Sequence, residues 1–199
     1  MGVLGVLSLA VGFLVSAPQP QSIGFQEDHP AQKPYWTFHV GAGRTLLVLG
    51  STDVRNNAFA GLQYAKPEKH FRIGKHSGEM LQEIYYEHSG SKAGSGYRGG
   101  FPSQYDAAGY LFGSRYTWGL RGAYKIYTDL GLGLYYDTER TEDLPSRLNT
   151  TPFIDLGLII PNGANPLTVG LRLLHVSNGG VVAPNAGQNQ LFLDLGVRF

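Results

Sequence analysis

The sequence predicts an all-β protein, an eight-stranded antiparallel transmembrane β-barrel of the up-and-down, outer-membrane type. Successive segments alternate between apolar and polar residues with a period of two, as strands with two different faces do. No segment shows a convincing helical periodicity. The final strand alternates in the same way and ends on the aromatic residue Phe199, which is typical of a barrel whose last strand faces lipid.

The composition supports a small barrel and excludes several other classes of protein. The 199 residues, one domain by length, include 28 Gly, 12 Tyr and 10 Phe, which suits a transmembrane barrel with aromatic girdles. The formal net charge of +1 gives no indication of nucleic-acid binding. Cysteine is absent, so disulfides, thiolate metal sites and a lipoprotein anchor are excluded.

The first 17 residues form an apolar run that predicts an export signal. Val15 and Ala17 supply a small-residue pair for cleavage, although no Lys or Arg precedes the run. A membrane anchor is the less favoured alternative, because the run is short for a spanning helix. Residues 18–34 are polar and Pro-rich. We therefore expect a signal peptide at 1–17, a polar leader at 18–34 and the barrel at 35–199.

Eight segments have the pattern of barrel strands. In the clearest of them, Leu130, Leu132 and Leu134 alternate with glycines at 131 and 133. We predict strands at Trp36–Gly43, Asn56–Ala65, Glu79–His88, Tyr105–Trp118, Lys125–Asp137, Pro152–Ile160, Leu167–Ser177 and Gln190–Phe199.

The connections between these strands differ in length, which indicates the end of the barrel that faces outward. The connections after the fourth and sixth strands are short, and the latter contains an Asn162-Gly163 turn. A link at Lys66–Ser77 is expected after the second strand. Long polar connections are predicted after the third, fifth and seventh strands, at Ser89–Ser103, Thr138–Thr151 and Asn178–Gln188. Because bacterial barrels have short periplasmic turns and long outer loops, the seventh strand should end near the outer leaflet.

Charged residues share the parity opposite the apolar stripes, so they are expected inside the barrel. An eight-stranded barrel has little lumen, and its interior is filled by side chains. We therefore expect these residues to pair with one another rather than to form a pore or a catalytic site. They are Glu83, Arg115, Lys125, Asp129, Asp155, Arg172, Asp194 and Arg198.

The residues that could carry chemistry lie at the end of the seventh strand. His175 and Ser177 continue its apolar, lipid-facing parity, and Asn189 has the same parity in the next strand. Serine hydrolysis needs a hydroxyl, a base and a group that orients the base. Backbones two residues apart on one strand face are about 6.6 Å apart, so the two side chains can meet. Such a pair is common by chance, but polar groups on a lipid face need a reason.

The turn that follows, Asn178-Gly179-Gly180, supplies backbone N–H groups beside the serine. Donors of this kind can stabilise an oxyanion. The stretch HVSNGG that begins at His175, followed by PNAG from Pro184, resembles the carboxy-terminal signature of PagL-type lipid A 3-O-deacylases. The match covers about the last thirty residues, and before them only the strand pattern agrees.

This resemblance implies an outer-membrane barrel whose active site faces the lipid. It implies Ser177 as the nucleophile, His175 as the general base and Asn185 as part of the oxyanion hole. The implied substrate is the ester-linked 3-hydroxyacyl chain at position 3 of lipid A. The implied partners are lipopolysaccharide, the bacterial outer membrane and, through the C-terminal strand, the barrel-assembly machinery. A homodimer is left open.

The sequence departs from the family at one position of the site. Its best-known members have a glutamate fourteen positions after the histidine, where this chain has Asn189. An Asn oxygen can hold the imidazole tautomer but brings no charge to stabilise the imidazolium, and the acid-to-Asn change costs a serine protease about 10⁴ in kcat. The enzyme could therefore be slow, borrow another carboxylate or be inactive.

Two other functions compete with a lipid A esterase. Asn189 favours a non-catalytic eight-stranded barrel that is structural or binds lipopolysaccharide. A soluble lipocalin-like carrier fits less well, because its apolar parity would have to face inward. No cofactor and no metal are expected, since His70, His76 and His88 lack the spacing of metal ligands.

Overall fold

The computed structural model describes residues 33–73, 76–91 and 101–199, and these residues form nine β-strands. The strands are β1 (Tyr35–Leu46), β2 (Arg55–Ile73), β3 (His76–Ser91), β4 (Gln104–Gly119), β5 (Lys125–Asp137), β6 (Leu148–Thr150), β7 (Phe153–Ile160), β8 (Leu167–Val176) and β9 (Gln188–Arg198). Within these ranges no helix is long and apolar enough to cross a membrane. The expected signal peptide at 1–17 and the leader up to residue 32 lie outside the described residues.

The strands close into a barrel in which every neighbouring pair is antiparallel. β1 pairs with both β2 and β9, and β4 pairs with β5. β6 and β7 both pair with β5, so they are two segments of one barrel strand. The nine segments therefore form an eight-stranded barrel without a free sheet edge, which confirms the predicted fold.

The two faces of the barrel wall differ sharply in polarity. Along β5, Tyr127 and Asp129 are buried inside, whereas Leu130 and Leu132 are exposed outside. An apolar exterior around a polar interior is the reverse of a soluble carrier and suits a lipid environment. The exposed apolar residues of the outer face include Trp36, Phe38, Val40, Ile84, Tyr110, Phe112, Leu134, Ile154, Leu156, Leu158, Leu171, Leu193, Leu195 and Val197.

Most of the predicted interior charges form one buried network. Arg172 donates to Glu83 at 2.6 and 2.9 Å and to Asp155 at 3.1 and 3.2 Å. It also lies 3.8 Å from the carboxylate of Asp194. Arg115 forms a second bidentate pair, with Asp129, at 2.6 and 2.7 Å.

Two of the eight predicted interior charges lie elsewhere. Arg198 is half-buried and stacks its guanidinium on the ring of Tyr35, 3.2 Å from the centroid. Lys125 is also half-buried, at the start of β5. Both lie near a barrel end, where side chains of the inner parity reach the rim.

Two predicted connections are wrong in extent. Lys66–Ser77 is not a loop, because β2 continues to Ile73 and pairs with β3 across a register shift between Glu68 and Arg72. Polar residues on both faces of this extension conceal its strand pattern. The connection predicted at Thr138–Thr151 contains β6, which at three residues is too short to show alternation.

The connections leave one end of the barrel with short turns and the other with long loops. In the part of the chain that the structure describes, the short connections span residues 120–124 and 161–166. The long ones there span 47–54, 138–147 and 177–187. Most of the connection predicted at Ser89–Ser103 lies outside the described residues, and its first three residues belong to β3. The candidate site lies at the long-loop end, where β8 ends and β9 begins.

Candidate active site

The register of β8 and β9 places His175 directly opposite Asn189. Residues paired across antiparallel strands project their side chains from the same face. Gln190, the next residue, points into the barrel and donates to Glu87 at 2.9 Å, so Asn189 is on the outer parity. The His175 Nδ1 and the Asn189 Oδ1 are 2.8 Å apart and hydrogen-bonded. The shared face inferred from the sequence is thus a direct contact.

A second hydrogen bond fixes which atom of the Asn189 amide faces the imidazole. The Asn189 Nδ2 donates to the main-chain carbonyl oxygen of Val48 at 2.7 Å. A carbonyl oxygen can only accept, so the amide must turn its NH₂ to Val48 and its Oδ1 to His175. The imidazole therefore carries a proton on Nδ1, and in the neutral ring the free lone pair is on Nε2.

The hydrogen bond to Val48 removes one disadvantage of having an asparagine, instead of a carboxylate, beside the His175 imidazole. Asparagine in place of the serine-protease acid keeps the geometry but leaves the imidazole in the wrong tautomer. Here the Val48 carbonyl excludes the amide orientation that would impose that tautomer. Asn189 still supplies no negative charge to stabilise the imidazolium.

Val48 belongs to a tight turn in the connection between β1 and β2. Leu49 and Gly50 have φ values of 50° and 97°, and the Val48 carbonyl also accepts the Ser51 N–H at 3.1 Å. Two central residues with positive φ and this hydrogen bond are the pattern of a type I′ turn. Glycine adopts such a φ freely, but leucine is strained there. The chain thus holds a strained backbone where it meets Asn189.

Ser177 follows β8 and is held through its backbone. It forms an isolated antiparallel bridge with Thr150 of β6, with hydrogen bonds of 3.0 and 2.8 Å. Gly187 packs against both site residues, because a Cβ placed on it would lie 3.0 Å from the His175 Cε1 and 3.4 Å from the Ser177 Cβ. Position 187 requires glycine both because a Cβ would crowd His175 and because its φ of 72° strains other residues.

His175 and Ser177 thus both lie against Gly187. Within the described residues they form no hydrogen bond with each other. Catalytic hydrogen bonds are often long in the free enzyme and tighten in the complex with substrate.

Some of the residues predicted to form the oxyanion hole are hydrogen-bonded to one another. The Asn185 Oδ1 accepts the Asn178 N–H at 3.2 Å, and the Asn178 Oδ1 accepts the Gly180 N–H at 2.9 Å. These bonds hold Asn185 against the Asn178-Gly179-Gly180 turn that follows Ser177. Among the described residues, the Gly179 N–H and the Asn185 Nδ2 make no hydrogen bond within the protein. They are the donors left for an oxyanion.

The site is not uniformly open to lipid. His175 and Ser177 are half-buried, but Asn189 is only 2% exposed because the Val48 turn covers it. Leu47 and Leu49, on that same connection, are apolar and exposed. Sequence reasoning missed Val48, because a main-chain carbonyl leaves no signal in residue type.

Replacing Asn189 by Asp is expected to lower the free energy of unfolding by about 1–3 kcal/mol at neutral pH. The isosteric carboxylate would set an oxygen against the Val48 carbonyl in place of the NH₂ that now lies 2.7 Å away. Denaturant unfolding in detergent micelles measures the loss. The loss should shrink as the pH is lowered toward about 3.9, the ordinary pKa of an Asp carboxyl, and be smallest below it, where the new carboxyl has a proton to donate in both the folded and the unfolded state. A variant as stable as the wild type at neutral pH would contradict the assigned amide orientation.

Comparisons with known proteins identify a family and agree with the fold. The model of the family Lipid A 3-O-deacylase (PagL) matches residues 60–198, a range that contains His175, Ser177 and Asn189 but not Val48. The crystal structure of the outer membrane enzyme PagL is similar at a TM-score of 0.64 and 18% identity, covering 80% of this chain and 97% of that chain.

A second solved structure has the same fold. The crystal structure of Neisserial surface protein A matches with a TM-score of 0.53 and 15% identity, covering 88% of this chain and 97% of that chain. No curated protein sequence matches the chain. At these identities the two structures establish the barrel, and the family match, which spans most of the chain, establishes the kinship. The chain therefore belongs to the PagL family of lipid A 3-O-deacylases and is a β-barrel of the bacterial outer membrane.

Proposed function

We propose that this chain is a serine esterase that hydrolyses the ester-linked 3-hydroxyacyl chain at position 3 of lipid A. The observation that supports it most is the pair of hydrogen bonds that joins the Val48 carbonyl to Asn189 and Asn189 to His175. A barrel that only spans the membrane has no need to fix an imidazole tautomer on its outer face. Family membership supplies the substrate class.

The proposed reaction is acyl transfer in two halves. The His175 Nε2 takes the proton of the Ser177 hydroxyl as its oxygen attacks the ester carbonyl carbon. The tetrahedral oxyanion is stabilised by the Gly179 N–H and the Asn185 Nδ2. The carbonyl then re-forms, the bond to the sugar oxygen breaks, and the Nε2–H protonates the leaving sugar alkoxide. Water, deprotonated by His175, releases the 3-hydroxy acid and restores Ser177.

The position of the site agrees with a substrate that arrives through the membrane. His175 and Ser177 lie on the outer wall at the long-loop end, which in bacterial barrels faces the cell exterior. Lipid A of the outer leaflet would then reach the serine by lateral diffusion. We also propose that β9 is the segment that the barrel-assembly machinery reads.

Mass spectrometry of lipid A tests the proposed activity. Cells that make this chain should contain lipid A that lacks one ester-linked 3-hydroxyacyl chain, compared with cells that carry an empty vector. Lipid A that already lacks the chain at position 3 is the matched substrate control and should be unchanged. Unaltered lipid A, with the barrel folded in the outer membrane, would favour the second candidate, a lipopolysaccharide-binding barrel without catalysis. The neutral Asn189 is the observation that supports this alternative.

A further inference from the structure

A carboxylate in the loop after β5 accepts several hydrogen bonds from the residues at the end of the Val48 turn. Asp143 is fully buried, and its carboxylate accepts hydrogen bonds from the Thr52 hydroxyl at 2.6 Å and the Thr52 N–H at 2.8 Å. It also accepts from the Asp53 N–H at 2.9 Å and from the Ser51 hydroxyl at 3.2 Å. Four donors from three consecutive residues thus converge on one side chain.

The same loop also holds the strand start that carries Asn189. The main-chain carbonyl of Asp143 accepts the Gly187 N–H at 3.0 Å, and Gly187 packs against both His175 and Ser177. Two residues before Asp143, the hydroxyl of Thr141 accepts the Gln188 side-chain amide at 3.2 Å. Asp143 therefore joins two separate segments that flank the candidate site.

A continuous series of hydrogen bonds runs from Asp143 to the imidazole. Ser51 uses its hydroxyl on Asp143 and its N–H on the Val48 carbonyl. That carbonyl accepts the Asn189 Nδ2, and the Asn189 Oδ1 bonds to the His175 Nδ1. The strained turn at Leu49 and Gly50 lies within this series. Without an external hold, the turn could relax and withdraw the Val48 carbonyl from Asn189.

We propose that Asp143 is a positioning residue that fixes the Val48 turn and thereby the Asn189 amide and the His175 tautomer. It does so without touching the imidazole, through the loop between β1 and β2 and through Gly187. The proposal rests on the proposed function for its effect on catalysis, but not for its effect on the tautomer. Asp143 thus secures by geometry the imidazole tautomer that a carboxylate at position 189 would impose directly.

Only an acceptor with several lone pairs satisfies this position. A carboxylate offers two oxygens, and each accepts at least one of the four hydrogen bonds. An asparagine would turn its NH₂ toward backbone N–H and hydroxyl donors, so part of the cluster would lose its acceptor. Asp143→Asn is therefore the smallest substitution that breaks the hold.

The test compares Asp143→Asn with the wild type in two independent readouts. The first is steady-state kinetics on lipid A in detergent micelles. A base held out of place should lower kcat by about 10–100-fold with KM nearly unchanged, because misplacement of about 1 Å can cost 10²-fold. The second is NMR of imidazole-¹⁵N-labelled protein, assigned with His175→Gln. The protected Nδ1–H signal of His175 should be present in the wild type and lost in the variant.

Glu139→Gln is the matched control, since Glu139 is an exposed carboxylate in the same loop, 3.6 Å from Arg147. It should retain both the kinetics and the Nδ1–H signal. If Asp143→Asn does not fold, Thr52→Val, which removes one of the four donors, should weaken the Nδ1–H signal in a folded barrel. Wild-type kcat and an intact signal in folded Asp143→Asn would overturn the proposal. Absence of deacylation by the wild type, with the signal still dependent on Asp143, would refute the proposed function alone.

Discussion

Ser177→Ala should abolish deacylation, lowering kcat by about 10⁴-fold or more, and leave the barrel folded. Loss of the nucleophile of a serine hydrolase removes the covalent route, and binding and oxyanion stabilisation leave only a small residual rate. The fold should survive because the hydrogen bonds that hold Ser177 to Thr150 use its backbone N–H and carbonyl. Alanine keeps both groups.

The measurement is release of 3-hydroxy acid from purified lipid A by equal amounts of folded variant and wild type. Ser146→Ala is the matched control, because Ser146 is also at the long-loop end and is half-buried, and its hydroxyl donates to the Leu148 carbonyl at 2.8 Å. The control should be as active as the wild type. Persistent activity in Ser177→Ala would show that another group attacks the ester, and the assigned roles of His175 and Asn189 would then fail with it.

The fold and the shared face of the site could be predicted because both depend on side-chain alternation. A period of two over eight segments determines which residues face lipid, and that parity alone placed His175 and Asn189 on one surface. The direct 2.8 Å contact between them depends on strand register, which parity does not specify. In a hairpin the register depends on the loop, and here residues 177–187 form a long connection with its own hydrogen bonds.

The residues that sequence reasoning missed act through loops and main-chain atoms. Val48 contributes a carbonyl oxygen, which every residue type has, and Leu49 in a left-handed conformation contradicts the usual preference of such turns for Gly or Asn. Asp143 lies in a charged segment that reads as solvated surface, yet it is fully buried. Its role follows from three chain segments that converge only in the folded barrel.

The interior network offers the largest expected effect on stability. Arg172→Met should lower the free energy of unfolding by about 3–5 kcal/mol, because removing one partner of a buried ion pair leaves uncompensated charge. Arg172 is fully buried, and its guanidinium lies against the carboxylates of Glu83, Asp155 and Asp194. Methionine has a similar length but leaves those three acids to repel one another. Denaturant titration followed by Trp fluorescence in micelles measures the difference.

Arg147→Met is the matched control, since Arg147 makes a half-exposed pair with Glu139 at 3.6 Å and its loss should cost at most about 1 kcal/mol. Adding Glu83→Gln to Arg172→Met should recover part of the lost stability, because one of the repelling charges is removed. Equal unfolding midpoints for Arg172→Met and Arg147→Met would mean that the interior pairs do not stabilise the barrel. Arg172 and His175 are both on β8, but Arg172 lies in the interior network. Arg172→Met should therefore reduce deacylation only in proportion to the fraction of unfolded protein. Ser177→Ala should reduce it in a fully folded barrel.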